Sequence, residues 1–202
     1  DSMSPSEVDE SLEFVGASLT GDATSEYSSV ELATLSKDID LGLRILGGLL
    51  RRPAFDEGRF EIAKSRALES HRRTEEDPLA LAMREFPPLV YGPDSPWGRR
   101  ATRKSLQSVT RGDVVQFHSE RFFPDRFVIA ASGQIDRERL VQNLDSLFKE
   151  WPRPRPLLAL PPLSRGFRPG LWILPRPGLA QTTLAVGHLG GRRDNPDKFA
   201  LL

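Results

Sequence analysis

The distribution of proline constrains the fold of this chain more than any other feature. Six of its 17 prolines lie between residues 152 and 169, in the stretch WPRPRPLLALPPLSRGFRPG. Because proline fixes φ and lacks a backbone N–H, such a run favours an extended linker over a helix or a central strand. The sequence therefore predicts a helix-rich α+β unit over residues 1–150, a linker over 151–169, and the start of another unit over 170–202.

Helices in the first unit are marked by caps and by apolar residues at helical spacing. Ser4 with Glu7 forms a capping-box pattern, and Thr110 with Asp113 caps a later helix. Residues 39–50 carry a strong apolar stripe, which is typical of a helix that buries one face. Further helices are predicted over residues 56–77, 78–91 and 136–150.

Strands are predicted in three parts of the chain. Residues 17–35 have the pattern of a strand pair, and RFVIAASG at 126–133 that of a buried strand. LWILP at 171–175 and TTLAVGHLG at 182–190 are predicted as two more strands. The expected fold class is therefore α+β, with an antiparallel sheet packed on helices.

The composition disfavours several classes of function. With 28 basic and 28 acidic residues the formal net charge is zero, so no long-range field attracts nucleic acid or an anionic membrane. The absence of cysteine excludes disulfides and thiolate metal sites. No apolar run approaches the roughly 20 residues that a membrane-spanning helix needs. We therefore expect neither a nucleic-acid partner nor a membrane span.

The helical stretch AKSRALESHRR at 63–73 contains side chains that could bind a metal. Glu69 and His71 are two residues apart and point to different sides of a helix, whereas His71 and Glu75 are four apart and could share an ion. The neighbouring arginines and glutamates favour a solvated face crossed by ion pairs. His118 and His188 have no second ligand at metal spacing, so the residues alone assemble no active site.

Three segments stand in an order that is similar to a known family. They are PAFDEGRF at 53–60, YGPDSPWGR at 91–99 and FFPDRFVIAASGQID at 122–136. In this order they resemble the insulinase, pitrilysin and mitochondrial-processing-peptidase family of zinc peptidases, and the resemblance covers nearly all of residues 4–202. It implies a LuxS- or processing-peptidase-like metalloprotease fold built as a tandem repeat. The first unit would be the C-terminal portion of the first repeat, and residues 170–202 the opening strands of the second.

The resemblance also implies where a zinc ligand would stand. In that family an H-x-x-E-H helix supplies two histidines and the general base, and a later helix resembling E-R-x-x-x-x-x-E supplies a glutamate ligand. H-x-x-E-H is absent here, and the later helix aligns without gaps on AKSRALES. The first glutamate then falls on Ala63 and the ligand on Ser70, one residue after Glu69. Serine cannot supply the required carboxylate, so no catalytic residue and no zinc ligand is expected in this chain, unless the alignment slips by one to Glu69.

The same resemblance points to a peptide-binding strand and to a role. Active members have a strand that resembles N-A-x-T and pairs with the backbone of the substrate. At the corresponding positions this chain has Thr20, Gly21, Asp22 and Ala23. The resemblance implies a non-catalytic homologue that closes a peptide chamber with an active peptidase subunit or domain. One alternative is a fragment of an active zinc metalloendopeptidase whose H-x-x-E-H lies upstream of Asp1. A second alternative is a purely structural assembly subunit.

Two further expectations follow from the resemblance. The bacterial paired-subunit members imply an exported, periplasmic setting. Residues 170–191 are similar to the hairpin that opens each repeat, and we expect their strands to form a ladder with the 1–150 unit. That ladder would relieve an unpaired sheet edge, either within one chain or between two chains as a strand-swapped homodimer.

Overall fold

The computed structural model describes four stretches of the chain. These stretches are residues 3–24, 26–151, 169–190 and 195–200. The chain divides into two compact units, the first formed by Asp1–Ala63 with Val109–Leu157 and the second by Lys64–Ser108 with Leu158–Leu202. The predicted linker over 151–169 lies almost wholly outside the described residues, so its boundaries stay a prediction.

Seven α-helices and one two-stranded sheet make up the regular structure of the described residues, apart from short 3-10 turns. In chain order the elements are α1 Pro5–Phe14, β1 Ser18–Ala23, β2 Ser28–Ala33, α2 Ile39–Arg51, α3 Glu57–Glu76, α4 Pro78–Tyr91, α5 Arg103–Ser108, α6 Arg111–Arg121 and α7 Arg137–Phe148. No helix in these stretches combines the length and the apolar composition that a membrane crossing requires.

Side-chain caps fix where several helices begin. At α1 the Ser4 amide donates to a Glu7 carboxylate oxygen at 2.7 Å, and the Glu7 amide donates to Ser4 Oγ at 3.3 Å. The same reciprocal pair, Thr110 and Asp113, opens α6. Each box satisfies backbone donors that have no partner inside the helix. Both predicted caps are confirmed.

The sheet is a single antiparallel hairpin that lies on α2. Ser18 stands opposite Ala33, and Ala23 stands opposite Ser28. A Cβ built on Gly42 of α2 would lie 2.9 Å from a Leu32 methyl carbon, so glycine at this position lets β2 approach the helix closely. The predicted strand pair over residues 17–35 is confirmed.

The core of the first unit forms where α2 meets α7. Leu43 and Ile45 of α2 are buried, and a Cβ built on Gly47 would lie 2.6 Å from a Leu147 methyl carbon. At the edge of this contact, Asn143 Nδ2 donates to Asp40 at 2.8 Å. The stripe predicted over residues 39–50 therefore buries one face, as its spacing indicates.

The predicted strands over 126–133, 171–175 and 182–190 are wrong, because none of these residues forms a strand in the structure. Val128 is 98% exposed and Val186 is 85% exposed. A strand needs a neighbouring backbone to complete its hydrogen bonds, and the described residues offer these segments none. Among the described residues, the segment over 170–190 forms no ladder with residues 1–150, contrary to the expectation. The strand-swapped homodimer stays an untested prediction.

Candidate functional site

The candidate metal residues lie on α3, the longest helix of the described chain. Its first turn is capped by Asp56, whose carboxylate accepts from the Arg59 amide at 2.8 Å. Glu69 is partly exposed, and the adjacent Ser70 is exposed, whereas the His71 side chain is only 10% exposed. These three consecutive residues therefore lie in different environments, as the 100° step of a helix requires.

The Glu69 carboxylate is held by two arginines of the same helix. Arg72 donates to both of its oxygens, at 2.9 and 2.8 Å, and Arg73 donates to one of them at 3.0 Å. The hydrogen bonds from Arg72 and Arg73 lower the pKa of Glu69 from its usual 4.5 to about 2. Glu69 is therefore an anion in which both oxygens already have guanidinium partners.

The position that aligns with the zinc ligand carries no charge. Ser70 is exposed, and its carbonyl oxygen accepts a hydrogen bond from Thr74 Oγ1 at 3.0 Å. A shallow, open depression along this part of α3 is lined by Ser65, Arg66, Glu69, Ser70 and Arg73. Because two of the lining residues are cations and the carboxylate is already paired, this surface does not fit a zinc ion.

His71 belongs to an ion-pair network in the second unit. Its Nδ1 lies 3.8 Å from Glu75 Oε1, and its Nε2 lies 3.3 Å from Arg84 Nη1. A guanidinium can only donate, so Nε2 accepts, and its lone pair is already engaged. Arg84 in turn pairs with Glu85 at 3.1 Å. Among the described residues no group of three His, Asp or Glu side chains could hold a metal ion.

The other two histidines make structural contacts. His118 Nε2 donates to the Leu50 carbonyl at 2.7 Å, and its ring stacks on Phe122 with centroids 4.9 Å apart. The edge of Phe55 meets the same ring at 5.4 Å. His188 Nδ1 lies 2.6 Å from the Leu189 carbonyl oxygen. The packing of His118 against Phe55 and Phe122 was not predicted. No pattern in the sequence indicates that helix α6 lies beside the end of α2.

The candidate peptide-binding residues lie together on β1. Thr20 stands opposite Glu31 of β2, and Gly21 stands opposite Val30. With Asp22 and Ala23 they are exposed, and β1 has β2 as its only strand partner among the described residues. The second edge of β1 therefore presents main-chain donors and acceptors that an extended peptide could pair with.

Comparison with known proteins agrees with this architecture. Residues 108–202 match the family model described as the peptidase M16 inactive domain. The chain is 25% identical over 200 residues to mitochondrial-processing peptidase subunit beta of Saccharomyces cerevisiae, which covers 95% of this chain and 42% of that protein. It is also 25% identical over 137 residues to an uncharacterized zinc protease of Mycobacterium tuberculosis, covering 67% of this chain and 31% of that protein.

The chain is therefore similar to the M16, or insulinase, peptidase family. The resemblance drawn from the three sequence segments is thereby confirmed. This chain spans less than half of the length of the curated relatives that it matches.

Two solved structures share the fold of this chain. A peptidase M16 inactive domain from Pseudomonas fluorescens superposes with a TM-score of 0.72 at 19% identity, covering 80% of this chain and 40% of that one. A protease from Helicobacter pylori superposes with a TM-score of 0.64 at 17% identity, covering 80% and 39%. The coarse fold prediction, helices packed with a small antiparallel sheet, is confirmed.

Proposed function

We propose that this chain is a non-catalytic part of an M16 zinc peptidase, and that it helps to form a peptide-binding chamber with an active partner subunit or domain. The observation that carries the proposal is that α3 offers no free carboxylate at the aligned ligand position. Ser70 offers no carboxylate at the aligned ligand position, and both oxygens of Glu69 are bound by Arg72 and Arg73. A catalytic zinc site of two histidines and one glutamate needs a carboxylate from this helix.

Recruitment of Glu69 as the ligand would require its existing ion pairs to be rearranged. Its bonds to Arg72 and Arg73 are charge-assisted, and such bonds are about twice as strong as neutral ones. A zinc ion at Glu69 would displace at least one guanidinium and then lie beside two cations. The helix would also have to turn by about 100° to bring Glu69 to the position that Ser70 occupies.

In this proposal the peptide is bound through the free edge of β1. Thr20, Gly21, Asp22 and Ala23 supply the main-chain groups, and a chamber of the LuxS or processing-peptidase kind supplies the enclosing walls. An exported, periplasmic setting is part of the proposal and rests on the family resemblance. Because main-chain pairing does not require particular side chains, the sequence departure at these four positions is compatible with peptide binding.

The second candidate is a fragment of an active zinc metalloendopeptidase. It is favoured by the similarity to relatives that are named as zinc proteases. In that case Glu69 would be the zinc ligand, and the histidines would be supplied from upstream of Asp1. A purely structural assembly subunit, without any peptide contact, is the third candidate.

Chelator-sensitive cleavage of an unstructured peptide tests whether this chain is catalytic by itself. We expect no such cleavage from this chain as it stands, and none from Ser70→Glu, because the histidine pair is also missing. The matched control is Ser119→Glu, which adds the same charge to an exposed position of helix α6, outside the depression.

The same assay on the full protein adds a second test. Cleavage that is lost with Glu69→Gln would establish the second candidate, whereas activity gained only with Ser70→Glu would support the first. A fluorescent-peptide titration of the complete assembly completes the comparison, since the third candidate predicts no binding.

A further inference from the structure

The charges of this neutral chain are strongly segregated, beginning with an acidic N-terminal stretch. Residues 1–36 contain no lysine or arginine, and the first cation is Lys37. The acidic residues of this stretch are Asp1, Glu7, Asp9, Glu10, Glu13, Asp22, Glu26 and Glu31. A stretch with carboxylates and no cation has a field that attracts a basic surface.

Helix α1 presents part of this charge on one exposed face. Glu10, Glu13 and Phe14 are three and four residues apart, so they share the side of α1 that faces away from the buried Leu12. Phe14 is 91% exposed. Neither Glu10 nor Glu13 makes an ion pair with another described residue. We call these three residues the acidic face.

A cationic surface lies in the second unit. No carboxylate stands between Asp94 and Asp113, although this interval contains five cations. Arg99, Arg103 and Lys104 are exposed and make no ion pair within the described stretches, and we call them the basic patch. Beside it is a depression of about 250 Å³, lined by Pro88, Pro93, Gly98, Arg99, Arg100 and Thr102.

Both surfaces are placed where they weaken their own helix. Glu13 lies in the last turn of α1, next to the negative end of the helix dipole, and it repels Glu10 three residues away. Arg103 and Lys104 lie in the first turn of α5, next to the positive end of that dipole. Charges that oppose local stability are expected at binding surfaces, where a partner compensates for them.

We propose that the acidic face of one copy of this chain docks on the basic patch of a second copy. Glu10 and Glu13 then meet Arg99, Arg103 and Lys104, and the Phe14 ring enters the depression between the prolines. Aromatic anchors surrounded by charged groups are typical of protein interfaces. Because the two surfaces differ, the contact is head-to-tail and leaves one of each free, so association continues beyond the dimer or closes into a ring.

Sedimentation velocity over a range of protein concentrations tests the proposal. At low salt the weight-average sedimentation coefficient should rise with concentration. In about 1 M NaCl, where the Debye length is about 3 Å, the rise should largely disappear. Phe14→Ala should weaken association at every salt concentration. A wild-type chain that stays monomeric at low salt would overturn the proposal.

Charge reversal identifies the two surfaces. The variant Arg99→Glu/Arg103→Glu/Lys104→Glu and the variant Glu10→Lys/Glu13→Lys should each weaken association at least about tenfold. An equimolar mixture of the two should associate again, because each then carries the complement of the other. Glu31→Lys is the matched control, since it makes one such charge change on the exposed surface of β2.

Two results of the charge-reversal experiment would contradict the proposal. One is association that persists in both reversed variants, and the other is a mixture that stays monomeric. A wild-type chain that is monomeric but binds a poly-glutamate peptide through the basic patch would show a different acidic protein as the occupant. That result would also overturn the pairing of two copies.

Discussion

In the first unit, α2 and α7 enclose a core, whereas the apolar segment over residues 126–133 leaves most of its side chains in solvent. Leu43 of α2 is 6% exposed, while Val128 is 98% exposed. A helix completes its hydrogen bonds within one segment, but a strand depends on a neighbouring backbone. The comparison indicates that the helices of this chain form from local sequence signals. Its predicted strands can form only where a partner backbone is available.

Truncation of one apolar side chain in each region should give the largest contrast. Leu43→Ala removes buried methyl groups and should lower the free energy of unfolding by about 2–5 kcal/mol. Val128→Ala should change it by no more than about 0.5 kcal/mol, because an exposed side chain loses little. Urea unfolding of both variants measures the difference. Equal losses of unfolding free energy would mean that residues 126–133 are packed in solution, and they would contradict the difference between the two regions.

Loss of a helix cap should have an intermediate effect. Thr110→Ala removes the hydroxyl that accepts from the Asp113 amide at the start of α6 and should cost about 1 kcal/mol in urea unfolding. Thr110→Ser keeps the hydroxyl and should recover most of this loss. Thr183→Ala makes the same kind of change within residues 182–190, which form neither a helix nor a strand, and it should be nearly neutral. A loss at Thr183 as large as that at Thr110 would contradict a locally determined helix start.

The smallest effect should come from the Glu69 ion pairs and should depend on pH. The folded-state pKa of Glu69 is about 2, below its usual 4.5, so its contribution to stability is present above about pH 4.5. That contribution should disappear as the pH falls from 4.5 towards 2. The difference in unfolding free energy between the wild type and Glu69→Gln should shrink over this interval.

Glu61→Gln is the matched control for this titration, because Glu61 makes no ion pair with another described residue of the chain. A Glu69→Gln difference that does not change with pH would contradict the paired carboxylate.

The sequence predicted those parts of the fold whose causes are local. Caps such as Ser4 and Thr110 and the stripe over residues 39–50 identified their helices correctly. Helix α5 was missed because its six residues carry no apolar stripe, and because its reciprocal cap pairs Thr102 with Ser105 instead of with an acidic residue. The strands over 171–175 and 182–190 were predicted from their apolar residues and from the likeness to a family hairpin. Neither signal reveals whether a partner strand is available.

The candidate site shows the same limit. The family alignment identified Ser70 and Glu69 as the decisive positions, and the spacing of Glu69 from Arg72 and Arg73 is that of helical ion pairs. Only the side-chain conformations in the structure show that both carboxylate oxygens of Glu69 accept hydrogen bonds from these arginines. The contact between His118 and the Leu50 carbonyl joins residues 68 apart in sequence, and no local pattern predicts it.

Zinc content after exhaustive dialysis tests most directly the central claim, which is that α3 supplies no zinc ligand. The account predicts no stoichiometric zinc in this chain, and the same metal content for the wild type, Glu69→Ala and the control Ser119→Ala. About one retained zinc per chain that is lost specifically in Glu69→Ala would make Glu69 a ligand and would contradict the account.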